Sequence, residues 1–204
     1  KTGNFDAEAI FISSGTTNSV NSKHHVRDLS LYETVFSSIF EHFYGDVAQY
    51  CIIGLLPSYL ERGHSSLVYM VNQLILQSAH PNSGFYLNNV DELHQTLLNN
   101  ELNHQKTILI GVSYALLDFA EKFPMKLTYT TIMETGGMKG RREEIRKEQM
   151  HTILKQRLGV NEIHSEYGMT ELMSQAYSKN NGIFNCPPWM KILLRAEDNP
   201  LEII

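Results

Sequence analysis

The sequence predicts an α/β fold, a largely parallel sheet with helices packed on it, and three observations carry that prediction. Short β-branched and apolar runs, "YCIIGLLP", "KTILIGV" and "KLTYTTIM", have the length and composition of buried strands. Longer stretches between them repeat apolar residues at the 3.6-residue period of a helix. The two kinds alternate along nearly the whole chain, and that alternation is the pattern of a sheet whose strands run parallel. No repeat or low-complexity segment interrupts it.

Taken in order, Ile10, Phe11 and Ile12 read as a short buried strand that runs into the small-residue loop "SSGTTNSVNSKHH". "SLYETVFSSIFEHFYG" then sets Tyr32, Val35, Phe36, Ile39, Phe40 and Phe43 on one helix face. Ser30 and Glu33 have the spacing of a capping box, and Gly45 closes the helix. "YCIIGLLP" is the next strand, followed by helices in "SSLVYMVNQLILQSA" and "VDELHQTLLNN". Strand "KTILIGV" leads to helix "SYALLDFAEKF", and strand "KLTYTTIM" to the charged helix "REEIRKEQMHTILKQRLG", with i,i+4 pairs such as Glu143–Lys147 on a solvated face. "NEIHSEY" and "MKILLRA" read as two last strands. Met70, Met150 and the Phe stripe of the first helix belong to the core, and Cys51 is inert inside its strand.

Composition bounds the function. With 204 residues and 42% hydrophobic content, the chain is long enough for one sizeable domain. A net charge of −5 supplies no basic field for nucleic acid or an anionic membrane. The longest apolar runs are strand-sized, so no membrane insertion is expected. Cys51 and Cys186 form no CxxC pair, which argues against a disulfide framework or a cysteine zinc site and fits a reducing, cytoplasmic setting. The chain has no initiator Met and stops in the apolar "NPLEII", so residues 1–204 are expected to be a fragment of a longer protein.

In parallel sheets ligands sit beyond the carboxyl ends of the strands, which singles out the loops after Ile12, Leu56, Gly111, Gly136 and Tyr167. Three of these have compositions that suit a nucleotide. In "SSGTTNS" the hydroxyls of Ser13, Ser14, Thr16 and Thr17 can donate to an oxyanion such as phosphate while Gly15 admits close backbone approach; a solvated turn has the same composition. In "METGGMKGRREEI", Gly136 and Gly137 leave flat backbone against which an aromatic base can lie. In "EYGMTEL", Tyr167 offers a ring for stacking, Thr170 a donor to phosphate, and Glu171 a hard oxygen ligand of the kind Mg²⁺ takes beside phosphate oxygens.

Together, "SSGTTNS", the paired glycines and "YGMTE", in that order, resemble the adenylate-forming enzymes: acyl- and aryl-CoA synthetases, peptide-synthetase adenylation domains and firefly-type luciferases. The nearest branch in pattern is the acyl-protein synthetase of bacterial bioluminescence and its relatives, through "SSGTTNSVNSKHHVRDLS" and "LLPSYLERGHSSLVYM". The resemblance covers residues 10 to about 195 and implies that residues 1–204 are part of the large ATP- and acyl-binding domain, without its N-terminal segment or its small C-terminal lid domain. It implies that Ser13, Ser14, Gly15, Thr16 and Thr17 wrap the β- and γ-phosphates of ATP. It further implies that Gly136 and Gly137 border the adenine, that Tyr167 stacks on it with Gly168 beside, that Thr170 contacts the α-phosphate, and that Glu171 binds Mg²⁺. Tyr59 and His64 compete for a place near the substrate carboxylate, and Ser113 and Tyr114 line the acyl pocket. The implied activity is ATP-dependent conversion of a fatty or aryl carboxylic acid to an acyl-adenylate, then transfer to a thiol of coenzyme A, a carrier protein or a protein cysteine.

The sequence departs from that pattern at Asn18, where the wider family has glycine, and in lacking the Pro-Lys that follows; Lys23 is the nearest cation. Asn tolerates the left-handed conformation, so the loop shape can persist. Two other functions compete. "GVSYA" nearly spells the G-x-S-x-G nucleophile elbow, which would make an α/β-hydrolase with Ser113 as nucleophile and His151 or His164 as base, although no HGGG-type motif accompanies it. The other is a remnant that holds nucleotide without turnover. His24 and His25 are adjacent in an extended segment, point apart, and are not expected to share a metal.

Overall fold

The computed structural model describes residues 3–13, 21–57, 64–87, 89–138, 142–199 and 201–203. Two strands, β1 (Ala9–Ile12) and β2 (Lys23–Val26), come first, followed by helix α1 (Leu29–Tyr44), a 3₁₀ turn (Val47–Gln49) and strand β3 (Cys51–Leu55). Helix α2 (Ser66–Ser78), strand β4 (Gly84–Phe85) and helix α3 (Val90–Leu102) follow, then β5 (Thr107–Val112) with α4 (Ser113–Lys122) and β6 (Thr130–Thr135) with α5 (Lys147–Leu158). Strands β7 (His164–Tyr167) and β8 (Ala176–Ser178) complete the order.

Six strands form the main sheet in the order β4-β3-β5-β6-β7-β8, and every neighbouring pair is parallel except β7 with β8. This is the α/β architecture that the alternating pattern predicts. Two adjacent inner strands are buried along their whole length, all six residues of β5 and all five of β3. Helices cover both faces of such a sheet, which is why these strands read as continuous apolar runs. Among the described residues, no helix is long and apolar enough to cross a membrane.

The opening strand differs from expectation. β1 is not part of the parallel sheet; it pairs antiparallel with β2 in a separate two-stranded sheet, with Ile12 opposite Lys23. Two contacts bring this hairpin to the main body. Phe11 packs edge-on against Tyr32 at 5.6 Å between ring centroids, and the Ile12 N–H donates to the His64 carbonyl at 2.9 Å. The end of β1 is thereby held beside the start of α2.

Helix α1 buries Tyr32, Phe36, Ile39 and Phe40, the stripe expected from periodicity, but its cap is different. Asp28 is the N-cap and accepts from the Leu31 N–H at 3.2 Å, while Ser30 Oγ donates to the same carboxylate at 2.7 Å. The Ser30–Glu33 capping box does not form, because Glu33 accepts a hydrogen bond from the Tyr69 hydroxyl on α2. Gly45 does close the helix, with φ +83° and its N–H on the Glu41 carbonyl at 2.8 Å.

Three further boundaries are corrected. The charged helix begins at Lys147, not at Arg142, so Glu143 precedes it and the Glu143–Lys147 pair is not made. Arg142 instead bridges Asp118 and Glu121 on α4 at 2.9 and 2.8 Å. The strand expected over 126–133 begins only at Thr130, because the Leu127 N–H is committed to the Leu158 carbonyl at the end of α5. "MKILLRA" is not a strand: Ile192, Leu193 and Leu194 are exposed and one isolated bridge joins Arg195 to Ile203. The edge of the sheet is the three-residue β8, packed antiparallel on β7.

Candidate functional site at the ends of β6 and β7

A cavity of about 930 Å³ opens beyond the carboxyl ends of β6 and β7. Its wall draws on four regions far apart in sequence: Ser13 from the hairpin, Ser65 and Ser66 at the start of α2, Thr135 and Gly136 after β6, and 167–171 after β7. That is where an open parallel sheet places its ligands.

The loop residues take their places as follows. Ser13 lines the cavity, donating its N–H to the Ser22 carbonyl at 2.9 Å and accepting the Ser22 N–H on Oγ at 2.8 Å. Ser14, Gly15, Thr16, Thr17 and Tyr59 lie outside the described residues. Gly136 lines the cavity in the left-handed region at φ +67°, a conformation that favours glycine, whereas Gly137 does not line it. Tyr167, Gly168, Met169, Thr170 and Glu171 all line it, and Tyr167 is 41% exposed with Phe184 edge-on at 5.9 Å. Gly168 is required by close approach, because a Cβ there would fall 2.5 Å from Glu166 Oε1.

Other expected site residues fall elsewhere. His64 is exposed and outside the cavity wall; its carbonyl is taken by Ile12, and its neighbours Ser65 and Ser66 reach the cavity instead. Ser113 and Tyr114 are 4% and 7% exposed and do not line the cavity among its described residues, so the expected acyl-pocket role is not where the fold puts them. Ser113 Oγ donates to the Gly136 carbonyl at 3.2 Å, and His151 contacts Glu134, so neither is arranged as nucleophile and base. His164 faces the Tyr44 hydroxyl through Nδ1 at 3.1 Å, and burial, reinforced by the Lys179 charge, pushes its pKa down to about 4. Lys23 is exposed on β2 and Lys191 is exposed in irregular chain.

The floor of the cavity holds a charged network that sequence reasoning missed. Glu134, near the end of β6, is 4% exposed, with Lys147 Nζ at 2.5 Å and His151 Nε2 at 3.7 Å from its Oε1. Burial alone would raise the Glu134 pKa, but the pull of His151, Lys147 and Ser165 outweighs it and leaves the carboxyl below the usual range. Glu166, on β7, is also buried and accepts from Thr135 Oγ1 at 2.6 Å. Among the described residues no cation pairs with it, and burial, with the nearby Glu134 charge, pushes its pKa up to about 7 despite the Thr135 bond. Two neighbouring carboxyls are thus driven apart, one ionised and one holding its proton near neutrality.

Tyr32 and Gln175 extend this floor. Gln175 Nε2 donates to the Tyr32 hydroxyl at 3.3 Å, and that hydroxyl donates to the Ser66 carbonyl at 3.3 Å. Burial, with the Glu166 charge second, raises the Tyr32 pKa far above its ordinary value, so it stays a neutral donor. Gln175 Oε1 is buried in a residue of the cavity wall and has no hydrogen-bond partner.

Among the described residues, no cluster of three or more His, Cys, Asp or Glu could cage a metal. Thr170 and Glu171 bring one hydroxyl and one carboxylate to the cavity wall, oxygen donors of the kind that Mg²⁺ takes beside water and phosphate oxygens. A scan against models of known protein families finds no match, and a search of the curated proteins finds no significant match. The chain is an α/β protein with a cavity at the carboxyl edge of a mostly parallel sheet.

Proposed function

We propose that this chain binds ATP with Mg²⁺ and activates a carboxylic acid, fatty or aryl, as its acyl-adenylate for transfer to a thiol. The single observation carrying this reading is convergence: Ser13, Gly136, Tyr167, Thr170 and Glu171 span nearly 160 residues of sequence and all line one cavity. A solvated-turn reading of "SSGTTNS" gives no reason for Ser13 to meet "YGMTE" across the molecule.

The chemistry sets the demands on these groups. A carboxylate oxygen attacks the α-phosphorus of ATP, the bond from that phosphorus to the bridging oxygen breaks, and pyrophosphate leaves with the electron pair. Ser13 and Thr170 offer hydroxyl donors to phosphate oxygens, and Tyr167 a ring face for the base. Glu171 would hold Mg²⁺, which, when bound, neutralises phosphate charge and favours the leaving pyrophosphate. A thiolate then attacks the acyl carbon and AMP departs, which requires the adenylate to be shielded from water in the meantime. The buried Tyr32, Met70 and Glu166 side of the cavity supplies a wall out of solvent.

Isotope exchange of pyrophosphate into ATP tests the reading. Exchange should require both Mg²⁺ and a carboxylic acid, and Glu171→Gln should lower it by about a hundredfold, the scale of losing one electrostatic contact to the reacting phosphates. Absence of acid-dependent exchange, together with ester hydrolysis lost in Ser113→Ala, would replace this reading with the hydrolase.

A further inference from the structure

We propose that Lys147 is the cation that receives an anionic oxygen of the bound ligand, a phosphate oxygen of the nucleotide, with Glu134 behind it as its anchor. The proposal rests on the ATP reading above and deepens it by naming the group that answers the phosphate charge.

The sequence leaves that group unassigned. A nucleotide brings several negative charges into the cavity, and Lys23, the first cation after the hydroxyl loop, stands exposed on β2 outside the wall. Among the described residues lining the cavity, Lys147 is the one Lys or Arg. It is the first residue of α5, and it reaches back across the loop after β6 to Glu134.

The ion pair has a direction. The Lys147 side chain is 37% exposed and the Glu134 side chain only 5%, so the positive end faces the cavity while the negative end is sealed beneath it. An ordinary surface pair would leave both ends to water, and a purely structural buried pair would hide both. Lys147 Nζ also lies 4.9 Å from the centre of the Phe184 ring, another cavity residue, which guides the side chain along the wall. An ammonium has three donors, and Glu134 Oε1 accounts for one contact, leaving capacity for a ligand oxygen.

The surrounding charges agree with this role. His151 sits behind the pair, 3.7 Å from the same carboxylate oxygen, and Ser165 lies across from Glu134 in the β6–β7 register. Glu166 holds its proton up to about pH 7, so below that pH the floor does not set a second carboxylate charge against Lys147. Thr135, Tyr32 and Gln175 complete the floor as neutral groups.

Calorimetric titration with ATP·Mg²⁺ and with adenosine, on four proteins, tests the proposal: the unaltered chain, Lys147→Arg, Glu134→Gln, and the double variant Glu134→Gln/Lys147→Met. The double variant removes both charges, so no buried carboxylate is left unpaired and the fold is preserved. Expected are a loss of about tenfold or more in ATP affinity for the double variant, with adenosine affinity unchanged. Lys147→Arg keeps a cation at the wall and should bind ATP within about threefold of the unaltered chain, whereas Glu134→Gln removes the anchor but keeps the cation and should lose less than the double variant; a loss in Glu134→Gln equal to that of the double change would mark the pair as structural and overturn the proposal. Equal ATP affinity in the double variant and the unaltered chain would overturn the role of Lys147 and leave the ATP reading standing. An unaltered chain that binds ATP no better than adenosine would overturn both.

Discussion

Strands β5 and β6 lie side by side in register, yet their carboxyl ends have opposite characters. β5 runs "TILIGV" into α4 and its end is filled. Gly111 has Leu116 so close that a Cβ would meet that side chain at 2.7 Å, and the Ser113 hydroxyl is spent on the Gly136 carbonyl. β6 runs "TTIMET" and its end is open and charged, with Glu134, Thr135 and Gly136 on a cavity shared with the end of β7. Packing closes one exit of the sheet and leaves the other free, so chemistry is available at β6 and β7 and not at the nucleophile-elbow look-alike after β5. The difference is one of content: an apolar end gains by burial, whereas a charged end must be answered by partners or by a ligand.

The largest effect should come from forcing the closed end. Gly111→Val places new carbons against Leu116 and should destabilise the fold by about 3 kcal/mol in urea unfolding, with the same cost at every pH. The open end should respond to pH instead. Burial pushes the Glu166 carboxyl from its ordinary 4.5 up to about 7 in the folded chain, so its contribution is fully present below about pH 4.5 and is lost as pH rises through 7. Glu166→Gln carries no such charge. Its stability relative to the unaltered chain should therefore rise between pH 4 and pH 8 by about 3 kcal/mol, read from urea unfolding at the two pH values. A flat difference would show that Glu166 ionises freely and that the floor of the cavity is solvated.

Much of the fold was readable because the strongest elements obey one period. The apolar faces of "LYETVFSSIFEHF" and the continuous apolar strands β3 and β5 left little choice. Errors came where a competing contact took over. Glu33 had the capping-box spacing but a tyrosine on α2 offered it a partner, and Asp28 capped the helix instead. "MKILLRA" has a strand-like composition, but no strand of the sheet lies beside it, and the edge fell to the short β8, too brief and too polar at Ser178 to announce itself.

The site divides in the same way. Hydroxyl, glycine and "YGMTE" loops nominated Ser13, Gly136, Tyr167, Thr170 and Glu171 from composition, and these five line one cavity. Glu134, Lys147, His151, Glu166 and Gln175 were not accessible in this way. Glu134 and Glu166 sit among other polar residues in short strands, where a carboxylate ordinarily faces solvent, and Lys147 looked like one more charge on a solvated helix. Only the parallel pairing of β6 with β7, and the late start of α5, bring them to one floor. His64 erred in the other direction, named for its neighbourhood while Ser65 and Ser66 occupy the wall.

The central claim is that the nucleotide sits at the open ends of β6 and β7. Photolabelling with an azido-adenine analogue of ATP, followed by mapping of the modified peptide, addresses it directly. The account predicts Mg²⁺-dependent modification within 134–138 or 165–171, competed by ATP. Modification centred on Ser113 and Tyr114, or labelling that excess ATP does not suppress, would contradict it.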